Sequence, residues 1–264
     1  MTPPEATSVH RRRFLVQSIA VTAGFAGLRS LCAGGGLRTW TVPVELVEDP
    51  RGIVDLPSGF SYHVFSKAGE EMDDGLFVPG LHDGMGAFPG PGGSTVLVRN
   101  HEISPLDTRI GPWGWTNERL GRIDPEQIYD RGRDCPILGG CTTLVYDTAR
   151  RELLQHSLSL TGTVHNCAGG TTPWGTWLSC EESQVQVDDD HRVDHGYAFE
   201  VPATTTMGLA PPIPLRAMGR FQREAVAVDT TSGFIYQTED IGDGLLYRFL
   251  PSTRGVLADG GRLQ

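Results

Sequence analysis

Along most of the chain, short β-branched and aromatic runs alternate with clusters of glycine, proline, aspartate and asparagine, and no run exceeds an ordinary strand. The runs fall at residues 60–65, 94–99, 142–146, 153–160, 175–180, 197–201, 225–228, 234–238 and 245–249. With 34 glycines and 18 prolines in 264 residues, turn formers are frequent enough to end every one of them. Helical periodicity is scarce beyond the N-terminus, where the best candidate, residues 125–131, is barely two turns. The chain is therefore expected to be all-β. Thr230-Thr231-Ser232-Gly233 joins two runs and reads as a hairpin connection, with Gly233 available for positive φ.

Strand recurrence of this kind fits a sandwich, a barrel or a propeller. Three runs end alike: Arg99-Asn100-His101-Glu102, Cys180-Glu181-Glu182 and Thr238-Glu239-Asp240. In a propeller the corresponding strands of successive blades surround one axis, so acid-tipped ends converge there. A β-propeller with an axial cation pocket is the expected architecture.

Charge and motif content exclude several chemistries. Lys67 is the single lysine, and no GxxxxGKS phosphate loop occurs. The balance of 22 Lys+Arg against 32 Asp+Glu argues against nucleic acid as a stable partner, because phosphate backbones are held by clustered cations. GxSxG, HExxH and GxGxxG strings are absent.

The N-terminus reads as an address. Arg11-Arg12-Arg13-Phe14-Leu15 leads into an uncharged stretch ending at Leu28, the shape of a twin-arginine export signal. That stretch is shorter than the ~20 residues needed to span a bilayer, so no permanent membrane anchor is expected. Residues 1–32 are assigned to the signal and 33–264 to the folded domain, with the twin-arginine export machinery as a partner. The expected location is periplasmic or secreted. Export of a folded protein favours a metal centre assembled before transport, since affinity order alone does not select the correct ion.

Candidate metal ligands follow from donor chemistry. Cys167 lies in His165-Asn166-Cys167-Ala168-Gly169-Gly170, where small residues allow close approach, and a thiolate there would select a transition metal. The competing reading is an inert cysteine packed on Trp174 or Trp177. Glu181 and Glu182 are adjacent, so both reach one site only where a strand ends or bulges. Glu224 opens one strand, and Glu239 and Asp240 close the next. Such carboxylates suit calcium or ferric iron. Asn100, His101 and Glu102 carry mixed ligand chemistry. His82 and Asp83 sit in a glycine-rich stretch that reads as a tight turn, and Asp188-Asp189-Asp190 reads as a solvated turn. A Cys135–Cys141 disulfide is a further possibility in an exported protein.

Several blocks together resemble the PhoX-type alkaline phosphatases: PGLHDGM at 79–85, LVRNHE at 97–102, GGCTTLVYD at 139–147, NCAGGTTPWGTWLSCEE at 166–182, HGYAFEVP at 195–202, EAVAVD at 224–229 and TED at 238–240. The resemblance implies a six-bladed β-propeller with iron and calcium cofactors that hydrolyses phosphate monoesters outside the cytoplasm. It implies Cys167 as an iron thiolate, and Glu181, Glu182 and Glu239 as carboxylate ligands to iron or calcium. Asp240 and Glu224 are further metal-site candidates, and Asn100 and Glu102 are catalytic candidates placed near phosphate or calcium. Substrate-binding residues are not identified. Cations clamping phosphate oxygens would stabilise the charge that develops during transfer.

Two departures from the family pattern stand out. Its members are longer, so a chain stopping at Gln264 is expected to supply roughly the N-terminal half of the ring. Arg223 stands where the family more often has histidine, placing a cation beside the pocket that could repel a metal or hold a phosphate. Two other readings remain open at this point. One is an inactive truncated propeller or binding module, and the other is a calcium-dependent hydrolase of the lactonase kind.

Overall fold

A computed structural model describes residues 45–104 and 111–264. Residues 1–32, expected above to be an export signal, lie outside the described residues. Among those described there is no α-helix, only 3-10 turns, and no helix is long and apolar enough to cross a membrane. The chain divides at residue 62 into two compact units. In the first, β1 (Leu46–Val47) pairs antiparallel with β2 (Leu56–Pro57), and Asp49 accepts hydrogen bonds from the backbone of Arg51, Ile53 and Val54 and from the Tyr62 hydroxyl.

The second unit contains three antiparallel sheets, each built from consecutive strands. Sheet one is β3 (His82–Pro89), β4 (Thr95–His101), β5 (Gly139–Asp147) and β6 (Glu152–Thr163). Sheet two is β7 (Asn166–Thr171), β8 (Thr176–Glu181) and β9 (Ala198–Pro202). Sheet three is β10 (Arg223–Val228), β11 (Ile235–Glu239), β12 (Leu246–Thr253) and β13 (Val256–Leu263).

The sheets pack face to face in series, and strand alternation explains how. From sheet two, Trp177, Phe199 and Val201 meet Val96, Val98 and Leu160 of sheet one. The intervening Leu178, Cys180 and Ala198 meet Val226, Ile235 and Phe249 of sheet three. A sheet covered on both faces reads as a nearly continuous apolar run, as 176–180 and 197–201 do. Met72, Leu76, Val78, Trp113, Ile128 and Leu138 build a further core with Ile103 and Leu158.

Eight of the nine expected runs are strands or lie largely within them; residues 60–65 are not. The 230–233 hairpin forms as expected, with Gly233 at φ 75° and the Asp229 carboxylate accepting from Thr231 N and from Ser232 N and Oγ. Residues 125–131 form only a 3-10 turn, Pro125–Gln127, capped by the Asp124 side chain. The stretch containing His82 and Asp83 is a strand rather than a tight turn. The four described cysteines are all free, so the Cys135–Cys141 bridge does not form. Cys141 is instead buried and donates to Asn100 Oδ1 at 3.1 Å.

The unexpected strands β3 and β7 are glycine-rich for a packing reason. The first strands of the three sheets lie side by side, β3 on β7 and β7 on β10. A Cβ on Gly84 would stand 2.7 Å from Ala168 Cα, and one on Gly170 would stand 2.2 Å from the Val226 carbonyl oxygen. Only hydrogen fits at such approaches. Gly170→Ala is therefore expected to lower unfolding free energy by about 1–3 kcal/mol in urea melts, whereas Gly121→Ala, with open space around it, stays within about 0.5 kcal/mol. A Gly170→Ala melt superimposing on wild type would contradict the close approach.

Candidate metal centre

The same backbone device opens each of the three sheets. In sheet one the Leu81 carbonyl accepts from Glu102 N, His82 pairs with His101, and a bulge follows before Met85. In sheet two the His165 carbonyl accepts from Glu182 N, Asn166 pairs with Glu181, and a bulge follows before Gly169. In sheet three the Gln222 carbonyl accepts from Asp240 N, Arg223 pairs with Glu239, and a bulge follows before Val226. Each bulge carries one donor residue, respectively Asp83, Cys167 and Glu224. Each following strand is succeeded by one acid, respectively Glu102, Glu182 and Asp240. Further links lace the three ends together, from His165 N to the Ile103 carbonyl and through a bridge between Glu182 and Gln222.

Bulges reorient side chains, and here they bring the donors together. Ligand atoms of Asp83, Glu102 and Cys167 lie within 4.8 Å of one another, as do those of Cys167, Glu182 and Glu224. Cys167 belongs to both groups. Its Sγ lies 3.3 and 3.2 Å from the two Glu224 oxygens and 3.9 Å from Asp83 Oδ1. Its sulfur therefore faces acids. Trp177 instead donates to Asn100 Oδ1 at 2.9 Å.

Among the described residues, none of these carboxylates forms an ion pair with an arginine or lysine. The electrostatic consequence is visible in proton affinity. Burial, then the charge of Asp83 and a hydrogen bond with it, push the Glu102 carboxyl up to about 7, with Glu182 and Glu224 adding to the effect. Glu182 is raised by burial and by the Glu224 charge. The Cys167 thiol is pushed up by burial, by its hydrogen bond with Glu224 and by the Asp83 charge. Crowded acids without a countercharge favour protonation.

Other expected site residues have different surroundings. Neither Glu181 nor Glu239 enters the two donor groups, so Cys167, Glu181 and Glu239 do not share one ligand sphere. Glu181 is fully buried and accepts from Val164 N, Gly196 N, Tyr197 N and His195 Nδ1. Glu239 accepts from Leu245 N and the Tyr247 hydroxyl. Asp240 is exposed, but its charge contributes to raising Glu182. Asn100 is buried behind the site, donating Nδ2 to the carbonyls of Cys167 and Ala168 at 3.1 and 2.8 Å. Its Oδ1 accepts from Trp177, Ser179 and Cys141, so its side chain is fully engaged as a strut.

Arg223 does not face the pocket. Its guanidinium is buried on Gln237 Oε1 and on the carbonyls of Gly196, Met218 and Gly219, over the Phe221 ring. Alternation sends it away from its neighbour Glu224, and neither repulsion of a metal nor capture of phosphate follows.

Asp83 was the donor not singled out as a ligand from the sequence. A signal was present: Asp83-Gly84, Cys167-Ala168 and Glu224-Ala225 each pair a donor with a small residue one position after a strand opens. Asp130 and His195 were also not singled out. His195 lies between Glu181 at 2.6 Å and Asp130 at 3.1 Å, with all three side chains fully buried. Burial opposes its charge, but hydrogen bonds to Asp130 and Glu181 prevail and raise it to about 9. Asp130 is lowered: burial would raise it, and the His195 hydrogen bond and two backbone N–H groups outweigh that.

A histidine raised in the folded state stabilises it fully below its usual value of 6.5, and the contribution is lost as pH climbs through about 9. Thermal midpoints should therefore fall between pH 7 and 9.5 by an amount reflecting roughly 3 kcal/mol. His195→Gln should flatten that part of the curve and destabilise at pH 7 by about 3–5 kcal/mol, because two buried carboxylates lose their cation. Parallel pH curves for the two proteins would refute the buried imidazolium.

Residues 43–145 and 146–264 match the family described as Alkaline phosphatase PhoX. Comparisons with curated proteins and with solved structures give no match. The family match spans the donor-bearing openings of all three sheets together with the strands that carry them, and the chain accordingly belongs to the alkaline phosphatase PhoX family.

Proposed function

We propose that this chain is a metal-dependent phosphomonoesterase whose cations bind among Asp83, Glu102, Cys167, Glu182 and Glu224. The observation that carries the reading is the convergence of a thiol and four carboxylates with no paired arginine or lysine among the described residues. Family membership supports metal dependence, phosphate esters as substrates and a place outside the cytoplasm.

The donors fit the expected ions. Two ligands on opposite sides of a cation at roughly 2.4 Å are about 4.8 Å apart, and each group lies within that span. Sulfur favours iron, and the oxygen-rich surroundings accept iron or calcium. Cys167 is common to both groups, which makes it the residue on which two adjacent sites would depend. We assign Glu182 and Glu224 to one side and Asp83 and Glu102 to the other, with Asp240 as a more distant acid. Bound cations would supply the positive charge that holds phosphate oxygens and stabilises charge developing in transfer.

The protein's own part is positioning. Without cations the acidic group repels a phosphate dianion, so substrate affinity depends on the ions rather than on Arg223. Asn100 clamps the Cys167–Ala168 backbone and fixes where the sulfur points. Glu181 and His195 hold the end of β8 from behind, so that Glu182 emerges toward Cys167. Glu102, raised by burial and by Asp83, is the carboxyl of the group readiest to take up a proton in the metal-free protein, and a bound cation would compete with that proton.

This reading also assigns the three sheets as successive blades of a propeller, their bulged openings around one axis, and residues 1–32 as a twin-arginine export signal. Iron- and calcium-loaded protein should hydrolyse p-nitrophenyl phosphate. Cys167→Ser and Glu224→Gln should each lose about a hundredfold or more in turnover, with iron content falling in parallel. Unchanged iron and turnover in Cys167→Ser would overturn the assignment, and metal binding without hydrolysis by wild type would overturn the phosphatase function.

A further inference from the structure

Two residues beside the acidic group hold the chain in a backbone region that L side chains rarely adopt. Among the described residues, four other than glycine take positive φ: Leu81, Asn117, Arg151 and His165. Asn117 is of a type that visits this region readily, and Arg151 lies in the turn between β5 and β6. Leu81 and His165, both at φ 46°, instead occupy the same place in two different sheets.

That place is the opening of the sheet. Each residue stands directly before its strand and two positions before a bulge donor, Asp83 after Leu81 and Cys167 after His165. The carbonyl of each accepts from the backbone of the acid that follows the next strand, Leu81 from Glu102 N at 2.9 Å and His165 from Glu182 N at 2.9 Å. One backbone conformation therefore places two donors at once. Asp83 and Glu102 belong to one donor group, Cys167 and Glu182 to the other, with Cys167 shared. His165 N also donates to the Ile103 carbonyl at 3.1 Å, which ties the second opening to the chain just after Glu102. The Leu81 side chain is 49% exposed, so backbone links rather than side-chain packing hold it in this conformation.

Backbone in sparsely populated regions persists where its surroundings over-determine it, and it collects at functional sites. We propose, resting on the cation sites assigned above, that Leu81 and His165 are positioning residues whose left-handed backbone, not their side chains, sets the donors around each cation. Leu81 serves the ion on the Asp83 and Glu102 side. His165 serves both ions, because it carries the shared sulfur.

The test loads the full chain and its variants with iron and calcium, counts bound cations per chain by plasma mass spectrometry, and checks folding of the cation-free proteins by circular dichroism. Leu81→Gly should keep the wild-type cation content, because glycine enters this region without steric cost. Leu81→Ala should keep it too, since the side chain beyond Cβ has no part. A β-branched residue is an outlier at positive φ, so Leu81→Val should lose one of the two cations while staying folded. His165→Val should lose both, and His165→Asn should retain them, asparagine being tolerant of the region. A side-chain role predicts the reverse order, with valine the better replacement for leucine and glycine the worst. Wild type that takes up no cation would overturn the cation sites and the positioning role together. Full uptake by wild type and by Leu81→Val, or equal loss in Leu81→Gly and Leu81→Val, would overturn the positioning role alone. Should Leu81→Val not fold, Leu81→Gly decides: full cation content upholds the proposal, and a folded but cation-depleted variant overturns it.

Discussion

Backbone contact between the opening strands of successive sheets is the constraint on which the rest depends. β3, β7 and β10 approach so closely that Gly84 and Gly170 leave no room for a side chain. Strands pressed together at this range must end their ladders somewhere, and each does so through a bulge directly after its first pair. A bulge adds a residue and redirects it. Because the bulges occupy equivalent places in neighbouring strands, the redirected residues Asp83, Cys167 and Glu224 meet. The site is thus a consequence of how the sheets open.

Alternation along the strands then separates two kinds of acid. Glu181 belongs to the buried face and is neutralised there by His195 and three backbone N–H groups. Glu182, one residue on, emerges beside Cys167. The first is satisfied internally and stabilises the strand end. The second has no arginine or lysine partner among the described residues, and burial followed by the Glu224 charge raises its carboxyl. Sulfur chemistry divides in the same way. Cys141 and Cys180 are wholly buried, with thiols pushed to about 12 chiefly by burial, and they serve packing. Cys167 alone among the described cysteines faces carboxylates in a donor group.

The all-β class and most strands were legible because their residues are β-branched or aromatic and fenced by turn formers. β3 and β7 were not, since the glycines that permit close approach also erase strand propensity, and they look like turns in isolation. Of the donors that converge, Cys167, Glu102, Glu182 and Glu224 were candidates from donor type and position. The parity of Glu181 against Glu182 was open to reading only up to the strand end: adjacent side chains diverge, but where a strand stops depends on hydrogen bonds such as that from Glu182 N to the His165 carbonyl. Asp83 was obscured by the same glycines that hid its strand. Arg223 was misplaced because charge suggests a ligand, whereas its guanidinium is absorbed by four neutral acceptors.

The central claim is that equivalent strand openings from three sheets enclose a cation held by one sulfur and several carboxylates. Iron K-edge X-ray absorption on the loaded protein examines that coordination shell directly. The account predicts a single Fe–S contribution within an otherwise oxygen shell, with the sulfur contribution gone when Cys167 is replaced by serine. A shell of oxygen and nitrogen alone in the unsubstituted protein, or a sulfur contribution that survives the replacement, would contradict it.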